Sequence, residues 1–429
     1  MIKKFIPKSE FSRNIATLIS GTAIAQAIPI AISPILTRLY SPDDFGVFAL
    51  YMSIAAILSI VATVKYEAAV MLPKKDSDAA HIVILSIGIA FVFSLFISIV
   101  IFLFNSQITQ LLQNEKISMW LYFVPLTTFF SGVYQSVNFW SNRKKQYKRL
   151  AVSRVIQNST AGGSKLGMGF SGLTKGGLIM GTIAGQVIAA IVLFGMVWKE
   201  DKALFSRVKK LKVIALSKKY INFPKYSTPG VFLQTVATSS LPLLINIFFN
   251  TTVVGLYYFA NTIVRAPINL LFSSLAQVYH QKAVVLHAKN NLELLVFTQT
   301  IQKKMILFLL PFVIFMFIFS PIFFKVIFGE EWEKAGEYLR YFLPLIFFGS
   351  IFIPISSLVH VLGEQKFELY WKVSFFISQI SSLYISSLYF DFEISIFIMS
   401  IFGSLHYIYI NYYLKKIIRS TFMEDKYDI

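Results

Sequence analysis

Six ionisable side chains stand within or at the ends of long apolar runs: Lys65, Glu67, Arg154, Lys165, Arg265 and Lys372. Arg265 is the most demanding of them, because it lies at the middle of residues 253–277 (VVGLYYFANTIVRAPINLLFSSLAQ), a run long enough to cross a bilayer. A guanidinium stays protonated at any physiological pH, and at bilayer depth it costs roughly 2.5–3.5 kcal/mol on insertion scales unless water or an anion reaches it. It therefore calls for a wet cavity with an anionic guest, or for a polar partner on a neighbouring helix. Lys165 is the other deep cation. Arginine holds a diphosphate or similar polyanion through paired hydrogen bonds and lysine holds it as a point charge, so Arg265, Lys165, Lys65 and Arg154 form the candidate binding set. Snorkelling to the headgroups is the competing account for Lys65 and Glu67, and for Arg154 and Lys372, which sit nearer the interface. Lys65 and Glu67 are two apart, a spacing that puts them on different faces of a helix. Glu67 is the embedded acid and the candidate coupling residue for a proton; no sodium site is recognisable.

Other chemistry fares poorly. Asp76-Ser77-Asp78, with His81 nearby, has the residue types of a metal-binding glycosyltransferase pair, but such a pair needs a soluble domain around it, and this is a short loop between two apolar runs. The five histidines lack metal-ligand spacing, and the absence of cysteine removes disulfides, thiolate metal sites and a thiol nucleophile. GGSKLGMG has the glycines of a phosphate loop without the Gly-Lys-Ser/Thr or the preceding strand. Glycines spaced by four, at Gly163 and Gly167, Gly172 and Gly176, Gly177 and Gly181, and Gly181 and Gly185, point to close helix packing or a hinge. No enzyme and no cofactor are expected.

The elements that position these residues follow from hydropathy. With 56% apolar and 14% charged residues, in repeated long runs, the chain reads as an all-α polytopic membrane protein. About twelve spans of about 20 residues fit its length. They are expected at residues 14–36, 45–72, 81–104, 117–138, 151–173 and 176–198, then 227–249, 254–277, 306–328, 338–362, 367–389 and 394–414. The run 14–36 is too long for the apolar core of a signal peptide, so the basic residues Lys3, Lys4, Lys8 and Arg13 precede a first span, not a cleaved leader. The span 151–173, rich in Gly, Ser, Asn and Thr and holding Lys165, is expected to line the protein interior. Residues 280–304 read as an amphipathic segment at the inner interface, and residues from Lys415 as a short charged tail. The domain reading is a six-helix lobe at 1–200, a basic cytoplasmic linker at 201–225 and a second six-helix lobe at 226–429.

With the amino terminus inside, about 32 of the 40 Lys and Arg fall on cytoplasmic connections, which places both termini in the cytoplasm. The acidic stretch 329–337 then lies outside. The net charge of +19 is thus a topology signal with anionic-lipid contact, and nucleic acid is not an expected partner. The turn DDFGVFALYMSI resembles TVVGLYYFANTI, making Gly46 and Gly255 equivalent at the same point of each half. Two parallel six-span halves around a midplane cavity follow from such a repeat.

The stretches ILTRLYSPDDFGVFALYMS and YEAAVMLPKKDSDA resemble the amino-terminal signature of polysaccharide flippases of the Wzx type, within the multidrug/oligosaccharidyl-lipid/polysaccharide exporter superfamily. NFWSNRKKQYKRLAVSRV, FGEEWEKAGEYLR and LGEQKF extend the resemblance over nearly the whole chain. It implies a flippase of the bacterial inner membrane, moving a polyprenyl-diphosphate-linked oligosaccharide (an O-antigen or capsule repeat unit of lipopolysaccharide or polysaccharide biosynthesis) to the outer leaflet by alternating access. Polysaccharide polymerase and chain-length machinery are the implied partners. An arginine of the eighth helix binds the diphosphate in related flippases, and Arg265 matches that position. The alternatives are a multidrug antiporter of the same superfamily, which should carry embedded acids for organic cations, and a membrane polymerase or glycosyltransferase, which should carry a large outer loop.

Overall fold

The computed structural model describes residues 10–427, with side chains described for 21–273 and 275–420. Lys3, Lys4 and Lys8 lie outside the described residues. Every element among the described residues is helical. A helix satisfies its own backbone N–H and C=O groups, which hydrocarbon cannot do.

The chain divides into two compact units, Met1–Gly255 and Leu256–Ile429. The first contains α1 (Glu10–Leu39), α2 (Pro42–Ser59), α3 (Tyr66–Ala69), α4 (Asp76–Leu111), α5 (Ser118–Leu121), α6 (Val124–Arg143), α7 (Tyr147–Phe170), α8 (Gly177–Phe205), α9 (Lys210–Lys219), α10 (Thr228–Ser239) and α11 (Leu241–Phe248). α12 (Thr251–His287) begins in the first unit and runs into the second, which continues with α13 (Asn291–Phe328), α14 (Glu333–Phe352), α15 (Leu358–Val361), α16 (Gln365–Ser387) and α17 (Phe392–Tyr427). α10 and α11 pack on α2 within the first unit.

Seven of these helices are long and apolar enough to cross a membrane, and two pairs bent by 48° (Glu115–Leu121 with Val124–Arg143) and 42° (Phe223–Ser239 with Leu241–Phe248) bring the number to nine. α7, α12 and α16, of 24, 37 and 23 residues, have the length and fall short only in hydropathy. These three account for the difference from the twelve spans expected. Their polar residues need partners inside protein, and α7 finds them between α1 and α8. Asn158 Nδ2 donates to the Ala25 carbonyl (2.6 Å), and Gln157 Nε2 donates to Gln186 Oε1 (2.5 Å).

Several boundaries differ from the sequence reading. Span two is shorter than 45–72. α2 stops at Ser59, and the chain turns through residues 60–65, with Val64 (φ 40°) and Lys65 (φ 64°) left-handed before the single turn of α3. No glycine or proline between Leu58 and Pro73 announces this break. Residues 280–304 make no separate interfacial helix: α12 continues to His287, and α13 starts at Asn291, capped by the Asn290 side chain on the Leu292 and Glu293 N–H groups. The link at 201–225 is also largely helical. α9 packs against α4, Lys212 pairs with Asp78, and the Lys209 N–H donates to His81 Nε2 (3.1 Å). From Lys415 the chain stays helical among the described residues, because α17 continues to Tyr427.

At the inner end of the first unit the basic loop is tied down. Arg143 Nε and Lys144 Nζ both reach Asp76 at 2.9 Å, Trp140 Nε1 donates to Asp201 (2.9 Å), and buried Arg149 pairs with Asp201 and Glu200. At the outer end, the first turns of α2 and α12 touch backbone to backbone. A Cβ at Gly255 would lie 1.8 Å from the Pro42 carbonyl oxygen, and one at Gly46 would lie 2.0 Å from that of Thr251. The contact is reciprocal, each glycine meeting the residue four before the other. Around it, Asn114 Nδ2 donates to Thr251 Oγ1 (2.6 Å), Thr251 donates to Asn246 Oδ1 (2.9 Å), and buried Asn246 donates to the Leu112 carbonyl.

The second unit is held by aromatic rings. Phe259 of α12 meets Trp332, Phe328 and Phe324 with centroids 4.4, 4.9 and 6.0 Å away. Nearer the inner end Tyr279, Leu294, Leu358, Trp371 and Ile410 form one buried cluster, and Gln302 Nε2 donates to Asn411 Oδ1 (2.6 Å).

Candidate anion-binding residues

α12 carries Arg265 fourteen residues past Thr251, roughly 21 Å from the outer end of the helix at about 1.5 Å per residue. The side chain is half-buried, and its Nε donates to Asn261 Oδ1 (2.7 Å), one turn earlier. Among the described residues no carboxylate pairs with it, and none takes up its terminal Nη1 and Nη2 donors. Tyr257 and Tyr407 lie within its electrostatic reach. Two residues on, Pro267 removes the N–H that would close on the Ile263 carbonyl, so the backbone there is polar as well. The arginine is therefore oriented by an amide and left uncompensated in charge, which suits an anionic guest.

Lys165 is positioned by packing. Its backbone carbonyl accepts from the Tyr40 hydroxyl (2.6 Å), its stem lies over Gly181 of α8, and its ammonium stands 4.7 Å from the centre of the Phe48 ring. Burial, and then the Asp44 carboxylate, push the Tyr40 hydroxyl up to about 12, so it remains a donor at working pH. No carboxylate pairs with Lys165 among the described residues. The helix bounds place it in the last two turns of α7, nearer the outer end than the span 151–173 implied.

Arg154 lies three turns earlier on the same face of α7, about 16 Å from Lys165 along the axis. Its Nη1 donates to Thr22 Oγ1 of α1 (2.6 Å).

Lys65 and Glu67 are brought together, against the spacing argument. That argument assumed a continuous helix. The left-handed break at Lys65 turns its ammonium to 3.4 Å from Glu67 Oε1, and the other oxygen of the buried carboxylate accepts from Thr63 Oγ1. Lys372 pairs with Glu368 one turn away (2.7 Å). Of the spaced glycines, Gly181 and Gly185 seat α8 on α7, whereas Gly163 and Gly167 face open space, and Gly172 and Gly176 are turn residues with positive φ. Among the described residues no group of three or more His, Asp or Glu is placed to hold a metal.

A profile for a family described as polysaccharide biosynthesis protein matches residues 35–337. The chain belongs to the polysaccharide biosynthesis protein family. The lipid II flippase MurJ in an inward closed conformation superposes with a TM-score of 0.74 at 12% identity, covering 95% of this chain and 90% of that one. An inward-facing MATE multidrug resistance transporter of the MOP superfamily gives 0.70 at 13% identity, with 93% and 95% covered. A MOP superfamily transporter from Pyrococcus furiosus, whose binding pocket is described as reversed in polarity, gives 0.54 at 14% identity, with 95% and 94% covered. At such identities the likeness is one of fold. No curated protein matches the sequence significantly. The family member described here is thus a multi-span membrane protein with a transporter fold shared by multidrug exporters and lipid-linked substrate flippases.

Proposed function

We propose that this protein flips a polyprenyl-diphosphate-linked oligosaccharide, an O-antigen or capsule repeat unit, from the cytoplasmic to the outer leaflet of the bacterial inner membrane. The observation that carries the reading is Arg265, an embedded guanidinium with an amide to orient it and no carboxylate to neutralise it. Transport is by alternating access with two six-helix lobes, 1–200 and 226–429, and Arg265 takes the diphosphate. Lys165 and Arg154 are the further candidate cations for the substrate, and Lys65 joins them only where its pairing with Glu67 opens. Family membership supplies the pathway, and the resemblance of the sequence to Wzx-type flippases supplies the substrate class. A net anion moving outward is helped by about 2.3 kcal/mol per charge per 100 mV, inside negative. Glu67 is the candidate proton carrier, and polymerase and chain-length proteins are the partners that would consume the product. An exporter of organic cations would need a free embedded carboxylate, and Glu67 is engaged by Lys65 and Thr63.

The test is binding of a polyprenyl diphosphate to purified protein in lipid nanodiscs. Hydrogen bonds to charged groups contribute about 1.5–3 kcal/mol, so Arg265→Ala should weaken binding about 10- to 100-fold. Undiminished affinity removes Arg265 from the site.

A further inference from the structure

At the outer end of the first unit, three connections converge on a cavity of about 410 Å³, within the range of small-ligand sites. They are the turn into α2, the stretch before α6 and the turn between α7 and α8. Val47 and Ile179 give the cavity an apolar floor, and Asp43, Asp44, Lys116 and Lys175 ring it with charge.

The wall between them is Trp120, and its ring is fixed in place. Gly176, with φ +81°, lies directly against it: a Cβ there would sit 1.7 Å from Cζ2. On another side the ring meets Phe123, with centroids 5.9 Å apart and planes tilted by 34°. The charges are fixed too. Lys116 Nζ holds Asp43 Oδ2 at 2.6 Å, and Asp44 Oδ2 accepts from the Ser41 N–H (3.0 Å) and hydroxyl (2.8 Å). One oxygen of each carboxylate is thereby left for a guest, and exposed Lys175 lines the same cavity.

Two carboxylates and two ammoniums cancel, so the cavity does not suit a polyanion such as a diphosphate. The charged rim is equally wrong for a lipid chain, whose burial there would desolvate those groups without compensation. A sugar ring answers both halves of the lining. Its C–H face packs on an indole, a large apolar surface of low conformational freedom, and its hydroxyls donate to carboxylates and accept from ammoniums. We propose that this cavity binds the carbohydrate part of the substrate at the outer face, with Trp120 as the stacking platform and Asp43, Asp44 and Lys175 as the hydroxyl partners. The proposal rests on the reading of the substrate as a lipid-linked oligosaccharide, and Arg265 is not among the residues that line the cavity. A saccharide holding on here after the headgroup has turned outward would bias release to the outer side.

The test uses full-length protein in nanodiscs free of glycoside detergents. The probe is the lipid-free saccharide released by mild acid from the lipid-linked oligosaccharides of the cells that make the protein. Saturation-transfer NMR and calorimetry should detect binding by the wild type. Trp120→Ala should weaken it at least about tenfold, and Lys175→Ala, a surface change that leaves the fold alone, about threefold. Arg265→Ala should leave it unchanged. Wild-type affinity in both the Trp120 and Lys175 variants overturns the proposal, as does absence of wild-type binding up to about 10 mM saccharide. So does Trp120-dependent retention of phosphatidylethanolamine in place of the saccharide. If polyprenyl diphosphate binds in an Arg265-dependent manner while the free saccharide does not bind, the flippase reading stands and this inference fails. The converse result sinks only the diphosphate site.

Discussion

Single residues decide the outer contact of α2 with α12. Gly46 and Gly255 were legible as equivalent positions of a faint repeat, but nothing in the sequence said that the two meet. The backbones touch because neither residue has a side chain, and that makes the contact intolerant. Gly255→Ala must push a methyl group into the Pro42 carbonyl, and overpacking of this kind costs about 1–3 kcal/mol. Gly88→Ala places the same methyl in open space on α4 and should be neutral or stabilising by up to about 1 kcal/mol, since alanine is the better helix former. Thermal unfolding in detergent of the two variants side by side reads the difference, and equal midpoints would contradict the packing. Arg265 was found from the opposite signal, a charge where none is cheap. Its Asn261 partner sits one turn away on the same helix, and that spacing was readable too.

Elements were legible where hydropathy is high and misread where it is intermediate. The apolar helices α4, α8 and α13 stood out, and the polar α7 packs between α1 and α8, which supply partners for Asn158 and Gln157. The break after α2 was not legible. It depends on two non-glycine residues in the left-handed region, Val64 and Lys65, beside a local pairing of Lys65, Glu67 and Thr63, and neither a turn residue nor a drop in hydropathy announces it. The break gives Glu67 a specific test. Glu67→Ala deletes a buried acceptor and leaves Lys65 and Thr63 unpaired, for an expected loss of about 2–4 kcal/mol, reduced to the extent that Lys65 reaches water. Glu67→Gln keeps a carbonyl for Thr63 and should cost about half as much. If Glu67 carries the coupling proton, the glutamine variant also flattens the pH dependence of transport in proteoliposomes. An unaltered pH profile assigns the residue to structure alone.

For the whole molecule, length and apolar content gave the class, because spanning runs must match the thickness of the hydrocarbon layer; against the twelve spans expected, seven helices, or nine with the bent pairs, are long and apolar enough among the described residues. Where helices end outside that layer was not legible: beyond the lipid, helix propensity continues without a hydropathy signal. That is why residues 280–304 looked like a surface segment. α12 and α13, at 37 and 38 residues, are each about 55 Å long against about 30 Å of hydrocarbon, so much of each must leave the bilayer. On the expected topology, their junction at Lys289 and Asn290 is the cytoplasmic tip of a two-helix stalk. The chain has no native cysteine, so a single Asn290→Cys gives a clean reporter there. A membrane-impermeant maleimide should label it fully in inside-out vesicles and not at all in intact cells; the reverse pattern would invert the topology on which every inner and outer assignment depends. The same stalk offers an epitope outside the spans, a handle by which a fragment binder could add mass for particle alignment without touching Arg265.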